Sequence, residues 1–310
     1  MTAQSATVGL YGKIPDRGDF IRVGAGGALA RSLADWLQEA NDRLARGGST
    51  WPFSATFFLY RDANPDAVAI GVLIPSRDRA GRSFPLAIYA AVPAALALPD
   101  WSIAPRLFAP FLGAATALAL ESAALGADAL AAQALALPLP GERDRGLALA
   151  ERERDLAGAS AADLWADLRT PGAGYYAINT LLTATRNAVA GGGGESGKAR
   201  LALTCPITRP TDLEFWLLAL ERALRLRRAP PAFLWGQSEL LVSFGAPFPT
   251  LPGAGDDTAT MHNRTWSLVT AQIDAIHKAR DALPPATRRA IESDTSSLWS
   301  IAQTITIPAK

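Results

Sequence analysis

Residues 10–20 read Leu-Tyr-Gly-Lys-Ile-Pro-Asp-Arg-Gly-Asp-Phe, an apolar run that passes into a turn dense in glycine, proline and charge. A second segment of the same character, residues 71–86, reads Gly-Val-Leu-Ile-Pro-Ser-Arg-Asp-Arg-Ala-Gly-Arg-Ser-Phe-Pro-Leu. We call residues 13–20 the first motif turn and residues 75–85 the second. Arg and Asp side chains on tight turns commonly hydrogen-bond to backbone groups and to each other. Both segments therefore predict a strand followed by a turn that holds its charged side chains in place.

The apolar runs around these turns predict a sheet. Three runs that follow in quick succession predict strands at 54–60, 67–74 and 84–92, and a further run predicts a strand at 7–12. The links between the three are shorter than the dozen residues that a parallel crossover needs, so antiparallel neighbours are expected. Apolar residues at helical spacing predict an amphipathic helix over 28–46. Later strands are expected at 200–207, 232–235 and 240–244.

Helices are expected between and after these strands. The Ala-rich stretch 105–135 predicts helix, Ser160 predicts a capped short helix to Leu168, and two longer helices are expected at 176–189 and from 211 onward. The charged stretch 142–155 is interpreted as either a surface helix or a mobile segment. The chain from about Met261 predicts two helices separated by Pro284 and Pro285. The whole pattern predicts an α/β protein with a mixed, partly antiparallel sheet and helices on both faces.

Composition excludes several classes of protein. The chain has 310 residues, 49% of them hydrophobic, and a net charge of +1, which argues against disorder and against a nucleic-acid partner. Its one cysteine, Cys205, lies in an apolar run, so a buried thiol in a reducing compartment is expected. Charged residues interrupt the Ala-rich stretch 108–137, which favours a buried helix over a membrane span. The residues before Gly9 do not have the pattern of a signal peptide.

Catalytic and cofactor motifs are incomplete. The stretch from Gly192 to Lys198 resembles a phosphate-binding loop, but Ala199 stands where the pattern needs Ser or Thr, and a strand rather than a helix follows. The two histidines, His262 and His277, have no partner at metal-ligand spacing. No Gly-x-Ser-x-Gly elbow is present. We therefore expect no catalytic residue, no metal and no cofactor.

Charged side chains of the motif turns are the candidate site. Two roles stay open for them: they contact a protein partner, or they only brace the turns, a role that applies above all to Asp19 and Arg82. We expect the candidates to be exposed. They are Lys13, Arg17, Asp19, Arg77, Asp78 and Arg82.

The residues of both turns resemble a known family. The first motif, from Tyr11 to Phe20, and the second, from Gly71 to Leu86, are together similar to the hallmarks of the TagF/ImpM family of type VI secretion-associated proteins. Weaker similarity continues to about residue 250, through Phe215-Trp216-Leu217 and the Pro-rich run before Trp235. From about Asp256 onward the resemblance ends. This divides the chain into an α/β domain at 1–255, with possible halves at 1–140 and 141–255, and a helical extension at 256–310.

The resemblance implies a fold and a function. The family fold is a three-layer α/β/α sandwich. Family members are cytoplasmic, non-enzymatic regulators that repress type VI secretion post-translationally, and the usual partner is a forkhead-associated-domain scaffold protein of the same system. Two alternatives remain: an enzyme, either a hydrolase or a nucleotide-binding protein, that uses the loop from Gly192 to Lys198, or a structural subunit of the secretion apparatus. No nucleic acid and no membrane insertion are expected.

Overall fold

The computed structural model describes most residues of the chain. They are 6–46, 48, 51, 55–61, 67–93, 100–190, 201–224, 231–244 and 265–305.

Nine strands in the described residues form one sheet. They are β1 (Thr7–Gly12), β2 (Ile21–Gly24), β3 (Thr56–Arg61), β4 (Ala67–Ile74), β5 (Leu86–Pro93), β6 (Ala202–Pro206), β7 (Ala232–Trp235), β8 (Glu239–Ser243) and β9 (Thr265–Ser267). Their order is β2-β1-β5-β4-β3-β7-β8-β6-β9, and every pair is antiparallel except β6 with β9. The mixed, partly antiparallel sheet predicted from the sequence is confirmed.

The described helices number eleven. They are α1 (Gly27–Arg46), α2 (Ala104–Leu107), α3 (Ala109–Leu120), α4 (Ala127–Leu135), α5 (Glu142–Gly158), α6 (Ala161–Asp167), α7 (Ala173–Ala190), α8 (Pro210–Leu224), α9 (Ile273–Ala282), α10 (Pro285–Glu292) and α11 (Leu298–Thr304). Short 3-10 turns cover Trp101–Ile103 and Glu121–Ala123. The predicted Ala-rich helix is therefore broken into separate helices, and the charged stretch after Gly141 is a helix.

Two hydrophobic cores lie on the two faces of the sheet. On one face, α1 buries Leu33, Leu37 and Leu44, which recur at helical spacing, against aromatic residues of the strands such as Phe58 and Tyr89. The other face is covered by the remaining helices, with α3 and α4 lying directly on β4, β5 and β1. Helices on both faces confirm the α/β architecture, although a single described helix makes up one layer.

Helix α8 lies at the centre of the thicker layer. Trp216, Phe215 and Leu217 are fully buried, and the helix contacts α5, α7, α11 and the turn Trp101–Ile103. Its buried Glu214 accepts hydrogen bonds from Arg106 at 2.6 and 2.9 Å. An acidic residue can lie in this core because a guanidinium neutralises it in a bidentate pair.

The C-terminal part differs from the sequence prediction. Two helices were expected after Met261, whereas the structure has the strand β9 followed by three helices. Strand β9 has only three residues, too few to show a period in the sequence. The extra helix break comes at Ser297, whose side chain accepts a hydrogen bond from the Ser300 amide and caps α11. The hairpin strand β2 was also missed.

Residues 265–305 pack closely on the rest of the chain. Strand β9 extends the sheet next to β6, and α9 packs on α7. The amide of Leu298 donates to the Ala159 carbonyl at 3.0 Å, which ties α11 to the end of α5. Strands β3 and β7 pair across the proposed boundary at residue 140, so one sheet continues through both halves. The domain boundaries at 140 and 255 stay predictions.

Candidate functional site

Two β-hairpins bring the motif turns together at one end of the sheet. The first turn joins β1 to β2, and the second joins β4 to β5. Strands β1 and β5 are antiparallel neighbours, with Gly12 opposite Leu86, so the end of β1 lies beside the start of β5. Two turns that are about sixty residues apart in the chain therefore touch.

Glycine at position 12 makes this approach possible. Gly12 has a φ of +147°, and a Cβ atom there would lie 2.2 Å from the carbonyl oxygen of Pro85. Real Cβ atoms do not come so close to a backbone oxygen, so any side chain at this position would push the two motifs apart.

Asp78 is the anchor of the second motif turn. Its side chain is fully buried, and its Oδ2 accepts hydrogen bonds from Lys13 Nζ at 2.8 Å and Arg82 Nε at 2.7 Å. Its Oδ1 accepts from the backbone amides of Ala80 and Arg82, each at 2.9 Å. The bond from Lys13, together with the bonds from Arg82, outweighs burial and holds the pKa of Asp78 well below its usual range.

Further hydrogen bonds join the two turns directly. Arg82 Nη2 donates to the Gly18 carbonyl at 2.6 Å, and the Arg79 amide donates to the Arg17 carbonyl at 2.9 Å. The Arg79 guanidinium also donates to the carbonyl oxygen of Asp16. Carbonyl oxygens of the first motif turn thus accept hydrogen bonds from the second, and these bonds brace the two turns as one unit.

Helix α4 is attached to the same unit. The Asp16 carboxylate accepts from the Ala127 amide at 3.1 Å, at the start of the helix, where the helix dipole favours a negative charge. Arg17 donates to Asp128 at 3.0 Å, an exposed ion pair. The residues predicted to contact a partner did not include Asp16, Arg79 or Asp128, and no local pattern of the sequence connects residues 16 and 128.

An aromatic cluster lies beside the braced turns. The rings of Phe20 and Tyr11 stack with centroids 5.4 Å apart, and Phe20 meets Phe84 edge-on at 4.7 Å. Lys13 Nζ lies 5.2 Å from the centre of the Phe20 ring, and the Arg22 guanidinium lies 5.1 Å from that of Tyr11. Tyr11 and Phe84 are buried, whereas Phe20 is 39% exposed.

The six predicted residues fall into three groups. Lys13 and Asp78 are buried and pair with each other, so the prediction that they are exposed is wrong. The reason is that the ion pair lies between the two hairpins, which exclude water from it. Arg17 and Arg82 are exposed but already bonded. Asp19 and Arg77 are exposed and form no side-chain hydrogen bond or ion pair with the described residues; Arg77 has only a backbone bridge to Ser83. Whether any of the six contacts a partner stays a prediction.

A second polar cluster lies in the helical layer. Ser102 donates a hydrogen bond to the Glu221 carboxylate, and Arg152 Nη1 lies 2.5 Å from the Ser102 hydroxyl. Arg152 and Glu221 also form an ion pair at 3.9 Å. Burial raises the pKa of Glu221 to about 7, and Ser102 and Arg152 oppose that shift. All three residues are buried, so this cluster links α5, α8 and the turn Trp101–Ile103.

A cavity of about 220 Å³ lies between the sheet and the helical layer. Its walls are apolar, with Leu59 and Ile70 from the sheet and Trp101 and Phe108 from the helical layer. Arg145 and Asp100 also line it and pair with each other at 2.7 Å. No residue of the motif turns lines it.

The remaining candidates from the sequence are the glycine-rich loop, the two histidines and the Ala-rich helices. The loop from Gly192 to Lys198 and His262 lie outside the described residues, while His277 is on α9. In the part of the chain that the structure describes, no group of His, Cys, Asp and Glu could hold a metal ion. No single described helix has the length and apolar character to cross a bilayer; the bent pair Trp101–Leu107 and Ala109–Ala123 meets that test only jointly, with a 54° bend.

Cys205 is fully buried on β6, as its apolar context predicts. Burial raises the pKa of its thiol far above the ordinary value, and Glu239 adds to the shift. We expect the folded protein to resist thiol-directed alkylation at neutral pH, because neither the thiolate nor access is available. Mass spectrometry after iodoacetamide treatment should show no adduct on the native chain and one adduct after denaturation. Rapid labelling of the native protein would contradict the buried position.

Comparisons with known proteins connect the motif turns to a family. Residues 9–137 match the family model described as the TagF N-terminal domain, type VI secretion system-associated. The chain is also similar to the crystal structure of PA0076 from Pseudomonas aeruginosa PAO1, at 27% identity and a TM-score of 0.35, over 44% of this chain and 64% of that one. It thus spans less than two thirds of that protein. A search of curated proteins finds no match. Both motif turns lie inside the matched residues, which confirms the resemblance: residues 9–137 are similar to the TagF N-terminal domain, described as type VI secretion system-associated.

Proposed function

We propose that this protein is a cytoplasmic regulator of type VI secretion that represses it post-translationally by binding a component of the secretion system. The proposed partner is a forkhead-associated-domain scaffold protein of the same system, and the proposed action is sequestration rather than catalysis. The family match supports the association with type VI secretion. The repressor role and the partner come from the resemblance and are proposals.

The braced pair of motif turns is the observation that supports a binding role. A buried ion pair, cross-turn hydrogen bonds and a helix attachment fix the backbone of both turns before any partner arrives. A surface that is already ordered loses little conformational entropy when it binds. The chemistry at Asp78 supports the same conclusion, because its side-chain hydrogen-bonding partners among the described residues all come from the turns themselves, and its lowered pKa makes it a poor proton acceptor.

A charge swap at Asp19 and Arg77, whose side chains have no partner among the described residues, tests the binding role. We expect the double variant Arg77→Glu with Asp19→Lys to bind the purified scaffold protein at least about tenfold more weakly, because both side chains are exposed and free to meet a partner. The swap leaves net charge unchanged, so general electrostatic attraction is not altered. Surface plasmon resonance with immobilised scaffold would measure the change in Kd.

A matched control separates binding from bracing. Glu153→Lys with Arg186→Glu makes the same neutral swap on exposed residues of α5 and α7, outside residues 9–137, and should bind like the wild type. The melting temperature of the Arg77 and Asp19 variant should stay within a degree or two of the wild type. If the Arg77 and Asp19 variant bound the scaffold as tightly as the control variant and the wild type do, the proposed contact of these two residues with a partner would be wrong. If the wild type did not bind the scaffold, the proposed partner would be wrong.

A further inference from the structure

We infer that the end of the sheet around Phe20 is a docking surface for a carboxylate-rich segment of a protein partner. We call this the Phe20 surface and define it as Phe20, Arg77, Arg79 and Arg82. The inference rests on the proposed function for its biological setting, and it adds the residues and the chemistry of the partner.

The charges of the second motif turn point to an acidic partner. Residues 75–85 contain three arginines and one carboxylate, Asp78. The carboxylate is buried beneath the turn, while all three arginines are exposed, with 72% of the Arg79 and 62% of the Arg82 side chain in contact with solvent. The outer face of this turn therefore presents guanidinium groups without a carboxylate of its own. The exposed carboxylates at this end of the sheet, Asp16 and Asp19, belong to the first motif turn and lie outside the Phe20 surface as defined. A guanidinium fork matches a carboxylate in planar, bidentate hydrogen bonds.

Two of the three arginines already lie close to carboxylates of the motif turns, and the third does not. Arg82 bonds Asp78 from one side, and Arg79 lies 3.8 Å from the Asp16 carboxylate. Arg77 forms no ion pair with any described carboxylate. Arg77 is therefore the arginine of this turn that is most available to a carboxylate, while Arg79 and Arg82 also keep most of their side chains exposed.

Phe20 adds an apolar contact and points to a protein as the occupant. The ring covers Phe84, which is 1% exposed, and stacks on Tyr11, yet it leaves 39% of its own residue surface open. Gly18, two residues before Phe20, accepts a hydrogen bond from Arg82, and Ser83 next to Phe84 is bridged to Arg77, so these contacts join the segment that carries the ring to the segment that carries the arginines. An exposed aromatic beside arginines is the composition typical of protein interface centres. The chain's net charge of +1 gives no broad basic field for nucleic acid.

An acidic peptide tests this inference without the scaffold. The probe is a heptapeptide of six glutamates around a central leucine, and the control peptide has lysine in place of every glutamate. In two-dimensional NMR of the full chain, the acidic peptide should shift the amide signals of residues 17–22 and 76–84 and leave α7 unchanged. The lysine peptide should produce no such shifts. Millimolar acidic peptide that produces no shifts, or shifts centred elsewhere, would overturn the inference.

Variants make the same test specific. Arg77→Glu with Arg79→Glu should abolish the peptide shifts, whereas Arg186→Glu, an exposed arginine on α7, should keep them. Because Arg79 also bonds the first motif turn, Phe20→Ala serves as an independent variant and should weaken the peptide-induced shifts severalfold. Stronger binding to anionic lipid vesicles than to the acidic peptide would overturn the choice of a protein partner.

The scaffold protein distinguishes this inference from the proposed function. If the scaffold binds the wild type and the Arg77 and Arg79 variant equally well, the Phe20 surface is wrong while the proposed function stands. If the scaffold does not bind the wild type but the acidic peptide maps to the Phe20 surface, the proposed partner is wrong while the docking surface stands. A tenfold or larger loss of scaffold binding in the variant supports both.

Discussion

Replacing Asp78 by asparagine is expected to lower the melting temperature by roughly 5–10 °C and to loosen both motif turns, because the loss of one partner of a buried ion pair leaves the other charge uncompensated. A carboxamide at this position has a single oxygen, so bonds from Lys13, Arg82 or the backbone amides of the turn would be lost. Differential scanning fluorimetry at pH 7 would measure the shift. The melting temperature of the matched Lys13→Met variant should fall by less, because Arg82 and the two backbone amides still donate hydrogen bonds to the Asp78 carboxylate.

The lowered pKa of Asp78 predicts how the difference in melting temperature between the wild type and Asp78→Asn depends on pH. A carboxyl group whose pKa is lower in the folded than in the unfolded chain stabilises the fold fully above the unfolded pKa, which is about 4. That contribution is lost as the pH falls below about 4 towards the folded pKa. The gap in melting temperature between the wild type and Asp78→Asn should thus be constant from pH 6 to 8 and narrow in acid. A gap that widens in acid would contradict the ion-pair explanation.

Replacing Gly12 by valine is expected to prevent folding of the N-terminal half or to leave very little folded protein. The new Cβ would lie 2.2 Å from the Pro85 carbonyl oxygen and 2.7 Å from the Leu86 Cα, and a β-branched residue cannot easily adopt a φ of +147°. Backbone atoms on both sides cannot move away without separating β1 from β5. Soluble yield and the cooperativity of thermal unfolding by circular dichroism would measure the loss.

Gly18 gives the control for that substitution. It lies in the same motif turn, its φ is not positive, and nothing approaches within 4 Å of the Cβ that a substitution would add. Gly18→Ala should therefore fold and melt like the wild type to within about a degree. If Gly12→Val were as stable as Gly18→Ala, the close approach of β1 and β5 would be wrong.

Local patterns predicted most of the sheet and its helices. The apolar runs at 67–74 and 84–92 are strands β4 and β5, and their short link made them antiparallel. The spacing of Leu33, Leu37 and Leu44 predicted α1. Strands β2 and β9 were not predicted because four and three residues are too short to show alternation, and each is held in place by its pairing partner rather than by its own composition.

The candidate site was predicted less completely than the fold. The sequence indicated which residue types the turns contain, but it could not indicate that Lys13 and Asp78 would be buried, since burial of a charged side chain depends on a partner that comes from elsewhere in the chain. It also gave no signal for the contact of Asp16 with the first amide of α4, which joins residues 111 positions apart.

Two turns rich in glycine, proline, arginine and aspartate, each after an apolar strand, could be predicted from the amino-acid sequence, because turn chemistry and strand periodicity are local properties. The contact between the two turns, by contrast, is a property of the folded chain. The pairing of β1 with β5 brings them together, the buried bond from Lys13 to Asp78 locks them, and Phe20 and the arginines are left outside. A hydrogen bond between residues 65 positions apart forms here because the sheet register places both groups side by side, away from water.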